Sequence, residues 1–446
     1  MQSTLPFDFL DKVCFAATDA AQGTSNAPTW EFVLDGSLPE AALREALRLL
    51  ALRFPIVTAR VVSLDGDAAD AKRWGWAMEQ RGIPLEVVSL PDEAALTAFR
   101  HLLCDRFIDL TTEGGLQVAL AFLPHQQRLF VKQHHALADG RAMLTLLTEL
   151  AGYVAAAERG EPISEPAPYP RRAELEALAL SPWERRRLFA GGIWEYLRGF
   201  WAGVRMPVSE LRQNRSTDYT GGNRTLHLTR PAALLDRHTA AAKAAGGNLN
   251  ALLIAWLFEA NRRWHASLGE QPARVNMTLI AETRPREGGF DSFANHLTSF
   301  IVDLRLDRLP DTGALMLAAH GQLREQAARR AHLRRYLVER WLVLSLRMGA
   351  FRKMLFSNGP TVINLNLSNM LAIPLPRLSG EGWRVTEALI STPTTPRTGI
   401  VLTVTRCEGV VSFNFNFKTT VVSEEEVAAL VAVFAALVDA PASDGP

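Results

Sequence analysis

The chain is poor in cysteine. Its 446 residues hold only Cys14, Cys104 and Cys407, far apart from one another. No Cys-x-x-Cys pair and no disulfide framework can be drawn, which suits a reducing, cytoplasmic location. Charge of one sign is also lacking: 48 Lys and Arg stand against 47 Asp and Glu, for a formal net of +1. That balance argues against a dedicated nucleic-acid binder. No stretch of 18 uncharged apolar residues occurs, so no membrane span is expected. The first residues carry Asp8 and Asp11 where a secretory signal would be basic, so none is expected. A Gly-x-Ser-x-Gly elbow, a P-loop, a dinucleotide-binding glycine fingerprint and a His-Glu-x-x-His helix are all absent. Their absence removes the commonest hydrolase, nucleotide and zinc-protease readings.

What is present is enough apolar sequence for a large core. Apolar residues make up 48% of the chain and charged residues 21%. At this length two domains are the default expectation. Strand-like alternation appears at 29–35, 56–63, 116–123 and 128–134, the last two forming a hairpin pattern. Helical periodicity follows Pro39 and again fills 141–158. Four prolines between 160 and 170 mark the best linker. Beyond it, strands are expected at 224–230, 274–280, 298–306, 361–368, 398–406 and 409–417. Helices are expected at 231–245, from a cap at Asn250 to Trp264, through most of 313–356, and from Ser423 onward. These patterns predict an α/β protein divided into residues 1–170 and 171–446.

The most specific feature is the heptapeptide His134-His135-Ala136-Leu137-Ala138-Asp139-Gly140, between a strand and a helix. Its four fixed letters, HHxxxDG, should arise by chance in a chain this long with odds on the order of one in a thousand. Adjacent strand residues point to opposite faces, so the two histidines should not share a task. An imidazole is suited to proton transfer near neutral pH. Asp139 could orient an imidazole or pair with an arginine. Gly140 permits a turn or close approach that a side chain would forbid. A metal site using His135 and Asp139 needs a third ligand that the pattern does not offer, so no metal is expected.

The heptapeptide and its setting resemble the CoA-dependent acyltransferase superfamily. That group includes chloramphenicol acetyltransferase, the condensation domains of peptide synthetases, and plant and alcohol acyltransferases. Residues 32–60 and 275–303 resemble further segments of the same fold. The resemblance implies two chloramphenicol-acetyltransferase-like lobes, each a mixed sheet packed with helices, arranged as a V with a tunnel between them. Residues 1–170 would be the lobe carrying HHxxxDG, and 171–446 the lobe completing the tunnel. His135 would be the catalytic base, accepting a proton from a hydroxyl or amine as it attacks a thioester. His134, Asp139 and Gly140 would support the loop, with Arg284 holding Asp139. Asn295 and Asn369 are candidate tunnel residues.

No cofactor would be bound permanently; acyl-CoA or an acyl-phosphopantetheine on a carrier protein would be co-substrate. The acceptor would be a small alcohol or amine, and an acyl or peptidyl carrier protein a candidate partner. The chain departs from the family at Ala294-Asn295, where Gly-Asn is usual, and lacks the plant enzymes' Asp-Phe-Gly-Trp-Gly signature. No adenylation or carrier segment accompanies it, so a free-standing enzyme is expected. The alternative is a non-catalytic relative that binds a carrier protein or acyl ligand. Residues 323–353 hold nine Arg or Lys against two Glu, either a solvated helical face or a surface for an anionic partner. Contact with a membrane surface is a further reading, since Trp341 and several leucines share that stretch. The polar loop 394–398 has no assigned role.

Overall fold

The computed structural model describes residues 4–18, 26–66, 71–79, 81–205, 207–216, 218, 220–285, 290–356, 363–371, 379–394 and 398–441. Two six-stranded mixed sheets organise them. The first runs in the order Ser379–Gly380, Trp383–Ser391, Thr29–Gly36, Gln127–Gln133, Leu116–Phe122, Leu85–Ser89. Only its last pair is parallel. The second runs Leu297–Arg305, Arg274–Glu282, Leu365–Asn369, Ile400–Cys407, Val410–Lys418, Asn223–Pro231, with Leu365–Asn369 parallel to both neighbours. A small antiparallel sheet joins Thr4–Pro6, Trp74–Ala77 and Arg60–Ser63. Among the described residues no helix is long and apolar enough to cross a membrane.

Local sequence explains the elements that matter for the site. In Gln127–Gln133, Leu129 and Val131 enter the main core of the first lobe while Phe130 packs on Leu96 and Phe99 beneath Glu93–Asp105. Both faces of this strand are therefore covered, and all seven residues are buried. The following helix, Gly140–Glu158, buries Met143, Leu146, Leu147, Leu150 and Val154 at helical spacing. Each such side chain contributes roughly 1.5–3 kcal/mol by leaving water. In the second lobe, Phe413, Phe415 and Phe417 alternate into a core shared with Phe434 and Trp256.

The structure corrects several expectations. Residues 56–63 are not one strand: Pro55–Thr58 forms a 3-10 turn, since Pro55 lacks the N–H a ladder needs, and the strand is Arg60–Ser63. The cap of helix Leu249–Ser267 is Asn248, whose side chain accepts from the Ala251 N–H at 2.9 Å, rather than Asn250. Of the expected strand 361–368, residues 361–362 lie outside the described residues, and the strand is Leu365–Asn369. The Pro-rich segment is pinned: the Tyr169 N–H donates to Arg53 O at 2.6 Å, and Pro170 O accepts from the Phe293 N–H at 2.9 Å.

The division between the sheets does not fall at residue 170. Trp383–Ser391 crosses back to pair with Thr29–Gly36 and occupies the place beside it in the first sheet. Leu178, Leu188, Tyr336, Val343 and Phe351 also join the first core. A fragment of residues 1–170 would leave strand Thr29–Gly36 with a bare edge and that core uncovered. It is expected to show no cooperative thermal transition by circular dichroism, whereas the full chain should. A sharp transition in the fragment would mean that the crossover strand is dispensable.

Candidate active site

Strand Gln127–Gln133 ends directly before the two histidines, and the pleat sends them apart. His134 is fully buried. Its Nδ1 accepts the Ala136 N–H at 3.1 Å, so Nε2 carries the proton and donates to Thr18 Oγ1 at 2.8 Å. Thr18 Oγ1 in turn accepts the Asn26 N–H at 3.1 Å and donates to Cys14 O at 3.3 Å. Burial, reinforced by His135 and Lys132 nearby, pushes the His134 pKa down to about 3. It is a neutral, fully bonded support and has no free lone pair for chemistry.

His135 is half-buried. Its N–H donates to Asn26 O at 2.7 Å, and its Nδ1 lies 3.1 Å from Asn295 Oδ1. The Asn295 amide has only one chemically sensible orientation. Its Nδ2 donates to His135 O at 2.8 Å and to Ala136 O at 3.4 Å, and carbonyls only accept. Oδ1 must then receive a proton from His135 Nδ1, which leaves the Nε2 lone pair free. Among the described residues no group hydrogen-bonds Nε2. Cys14 Sγ lies 3.7 Å from Nδ1, and burial raises that thiol far above its usual pKa, so it stays neutral.

Asp139 caps helix Gly140–Glu158, its Oδ1 accepting the Ala142 N–H at 3.0 Å. Its Oδ2 accepts from Arg284 Nη1 at 2.8 Å and from the His296 N–H at 2.7 Å. Both charged side chains are buried, at 0% and 3% exposure, which decides the character of the pair. Burial alone would raise the Asp139 pKa, but the Arg284 charge and the three hydrogen bonds outweigh it and hold the carboxyl below its ordinary value. Arg284 also donates to Glu282 at 3.0 Å, to Ala294 O at 2.8 Å and to Ser292 O at 3.3 Å. It thereby organises the segment that delivers Asn295.

Of the two uses open to Gly140, a turn or a close approach, the geometry shows the second. Its backbone has ordinary helical geometry rather than a left-handed turn, and a Cβ there would collide with the tip of Met370. What it provides is close approach to the second lobe. Asn369 does not meet His135: its Nδ2 donates to Asn250 Oδ1 at 2.6 Å, and its Oδ1 accepts the Leu371 N–H at 3.0 Å. Residues 395–397 of the polar loop lie outside the described residues. Among the described residues no group of His, Cys, Asp and Glu suits a metal ion.

Two contributors escaped the sequence reading. Arg171 Nη1 donates to Leu137 O at 2.6 Å and Phe293 O at 2.8 Å, and its Nη2 to Asp11 at 2.6 Å. It staples the heptapeptide to the Asn295 segment from a third direction. Gln133 Nε2 donates to Ala138 O at 3.1 Å. Neither belongs to a local motif; Arg171 lies only one residue past the proline run.

No family model and no curated protein sequence matches the chain. Solved structures do. The first condensation domain of the calcium-dependent antibiotic synthetase, in complex with a substrate analogue, superposes with a TM-score of 0.72 at 15% identity, covering 99% of this chain and 98% of that one. The fold is that of the condensation domains. The epimerization domain from the third module of tyrocidine synthetase B gives 0.63 at 14% identity over 98% and 97% of the two chains. Polyketide synthase associated protein 5 from Mycobacterium tuberculosis gives 0.62 at 15% identity over 97% of each. The two chloramphenicol-acetyltransferase-like lobes anticipated from the heptapeptide are thus present, whereas a condensation-type fold also serves a domain named for epimerization.

Two outcomes follow from the geometry. Arg284→Ala should destabilise the chain by about 3–5 kcal/mol, because it strands a buried carboxylate; urea denaturation checks this, and a loss below about 1 kcal/mol would show that the pair is not anchoring the loop. Asn295→Ala should convert the single Nδ1–H tautomer of His135 into a mixture, read from imidazole 15N shifts. An unchanged spectrum would remove Asn295 as the group that sets the tautomer.

Proposed function

We propose that the chain is an acyltransferase that moves an acyl group from a phosphopantetheine thioester to a hydroxyl or amine. The observation that carries this reading is the half-buried His135, whose Nδ1 is committed to Asn295 while Nε2 keeps its lone pair. Nε2 takes the proton from the acceptor O–H as the oxygen attacks the thioester carbonyl. The carbonyl π pair moves to oxygen, giving a tetrahedral oxyanion. Collapse re-forms C=O and breaks the C–S bond, and the thiolate recovers the proton from the imidazolium. A thiol with a pKa near 8.5 leaves with little acid assistance, so one base suffices. Such a base contributes about 10²–10⁴-fold, and juxtaposition of two substrates supplies much of the rest. An amine acceptor must arrive uncharged, in which case His135 acts on the zwitterion formed after attack.

The donor carrier is CoA or a carrier protein, and the likeness to condensation domains favours the protein-bound arm. In this reading the tunnel runs to His135 between the lobes, and Asp139, Arg284 and Arg171 position the loop without touching substrate.

The test supplies one acyl group on CoA and on a phosphopantetheinylated carrier, with a panel of alcohols and amines, and scores products by mass spectrometry. Transfer is expected from at least one donor, and His135→Ala should lower it by about 10²-fold or more while the melting temperature holds. Transfer that survives His135→Ala would overturn the base assignment. Tight binding of an acylated carrier with no transfer to any acceptor would instead favour a non-catalytic binding protein.

A further inference from the structure

Helix Pro182–Arg205 carries an apolar stripe that faces away from the protein. Ala190, Trp194, Leu197, Trp201 and Val204 recur at alternating four- and three-residue steps, and Trp183 lies two turns before Ala190, which places all six on one face. Trp183 is 64% exposed, Trp194 68% and Trp201 60%, and Leu197 and Val204 are also exposed. The opposite face is fixed inward: a Cβ at Gly192 would collide with the backbone of Arg334, so the helix sits close against Ala331–Ser345 and cannot easily roll. The stripe extends roughly 30 Å at 1.5 Å per residue.

The charges around the stripe have one sign. The helix holds five arginines and two glutamates. Glu184 is paired with Arg330 at 3.4 Å and Glu195 with Arg334, so both carboxylates are engaged toward the protein. Arg186, Arg187, Arg198 and Arg205 remain exposed. At the N-terminal end, Trp183, Arg187, Arg329, Arg330 and Arg334 border a cleft of about 240 Å³ that Glu184, held by Arg330, also lines, and Arg187 stacks on the Trp183 ring at 5.5 Å. The nine-cation stretch at 323–353 is thereby partly consumed: Arg334 and Arg330 serve this helix, while Arg340 bonds Asp8 and Glu174 internally.

We propose that this face docks on an anionic lipid bilayer, with the helix lying in the interfacial plane. Indole rings favour the headgroup boundary, where an apolar body and an N–H are both accommodated. Exposed arginines add electrostatic attraction to lipid phosphates, and the cleft at Trp183 accepts one headgroup phosphate. A second copy of the chain fits less well, since it would set arginine against arginine across the stripe. The face belongs to a surface separate from His135, so the proposal stands whether or not the chain transfers acyl groups.

The experiment is vesicle flotation of the full chain with phosphatidylcholine alone and with about one-third phosphatidylglycerol, at low and high salt. The chain is expected to float with the anionic vesicles at low salt, about tenfold less with phosphatidylcholine alone, and less as salt rises. The double variants Trp194→Ser/Trp201→Ser and Arg186→Glu/Arg198→Glu should each lose about tenfold of that binding, with melting temperatures within about 2 °C of the parent because the side chains are exposed. No flotation, equal flotation with both vesicle types, or full binding by either variant would overturn the proposal. So would a chain that ignores vesicles but forms a dimer, or binds an acidic protein, through the same tryptophans.

Discussion

The Asp139–Arg284 pair crosses from one sheet to the other, and the geometry of the site depends on it. Asp139 follows a central strand of the first sheet and Arg284 follows a strand of the second. Desolvating two charges is costly, and a buried ion pair adds little net stability compared with an apolar replacement. What it supplies here is direction. Each Asp139 oxygen and each Arg284 terminal nitrogen has named partners, and those partners are the helix start, the Ala294 carbonyl and the His296 N–H. Asn295 lies between the last two. The charge pair therefore fixes the residue that selects the His135 tautomer, without contacting His135.

The neighbouring histidines show how a one-residue step separates two chemical states. His134 lies in the first lobe with both ring nitrogens satisfied, and burial keeps it neutral. His135 faces the other way and has one ring nitrogen satisfied by the second lobe. Support comes from within one lobe, whereas orientation of the candidate base requires both. A base assembled in this way is sensitive to how the lobes are docked.

Much of this was legible in the sequence because it is local. The heptapeptide sits in seven consecutive residues, the helix after it has a clean 3.6-residue period, and opposite roles for the histidines follow from the pleat. Arg284 was reachable only through family resemblance, since 145 residues separate it from Asp139. Asn295 was noticed as a tunnel candidate, yet its hydrogen bond to His135 depends on a fold-back that no periodicity encodes. Arg171 carried no signal at all. Strand Trp383–Ser391 was missed because a register shift between Val385 and Glu387 breaks its alternation. Helix Pro182–Arg205 contains the pair Gly191-Gly192, which weakens its local helical preference, and the apolar stripe faces outward where core-seeking logic does not look.

The crossover strand explains why such a docking-sensitive site can be held at all. On strand Val410–Lys418 the phenylalanines face the second core, while Ser412, Asn414 and Asn416 are buried on the other face. That polar face and the two strands beside it meet the crossover: Ser412 and Thr229 donate to Glu387, Thr405 to Ala388 O at 2.8 Å, and the Thr392 N–H donates to Asn416 Oδ1 at 2.7 Å. An apolar junction would gain similar burial energy over a range of small slides, because dispersion and hydrophobic contact are only weakly directional. A hydrogen-bonded junction loses bonds with each displacement, and buried polar groups left unpaired are costly. The polar seam therefore narrows the set of lobe arrangements, and the arrangement it selects brings Arg284 within 2.8 Å of Asp139 and Asn295 within 3.1 Å of His135.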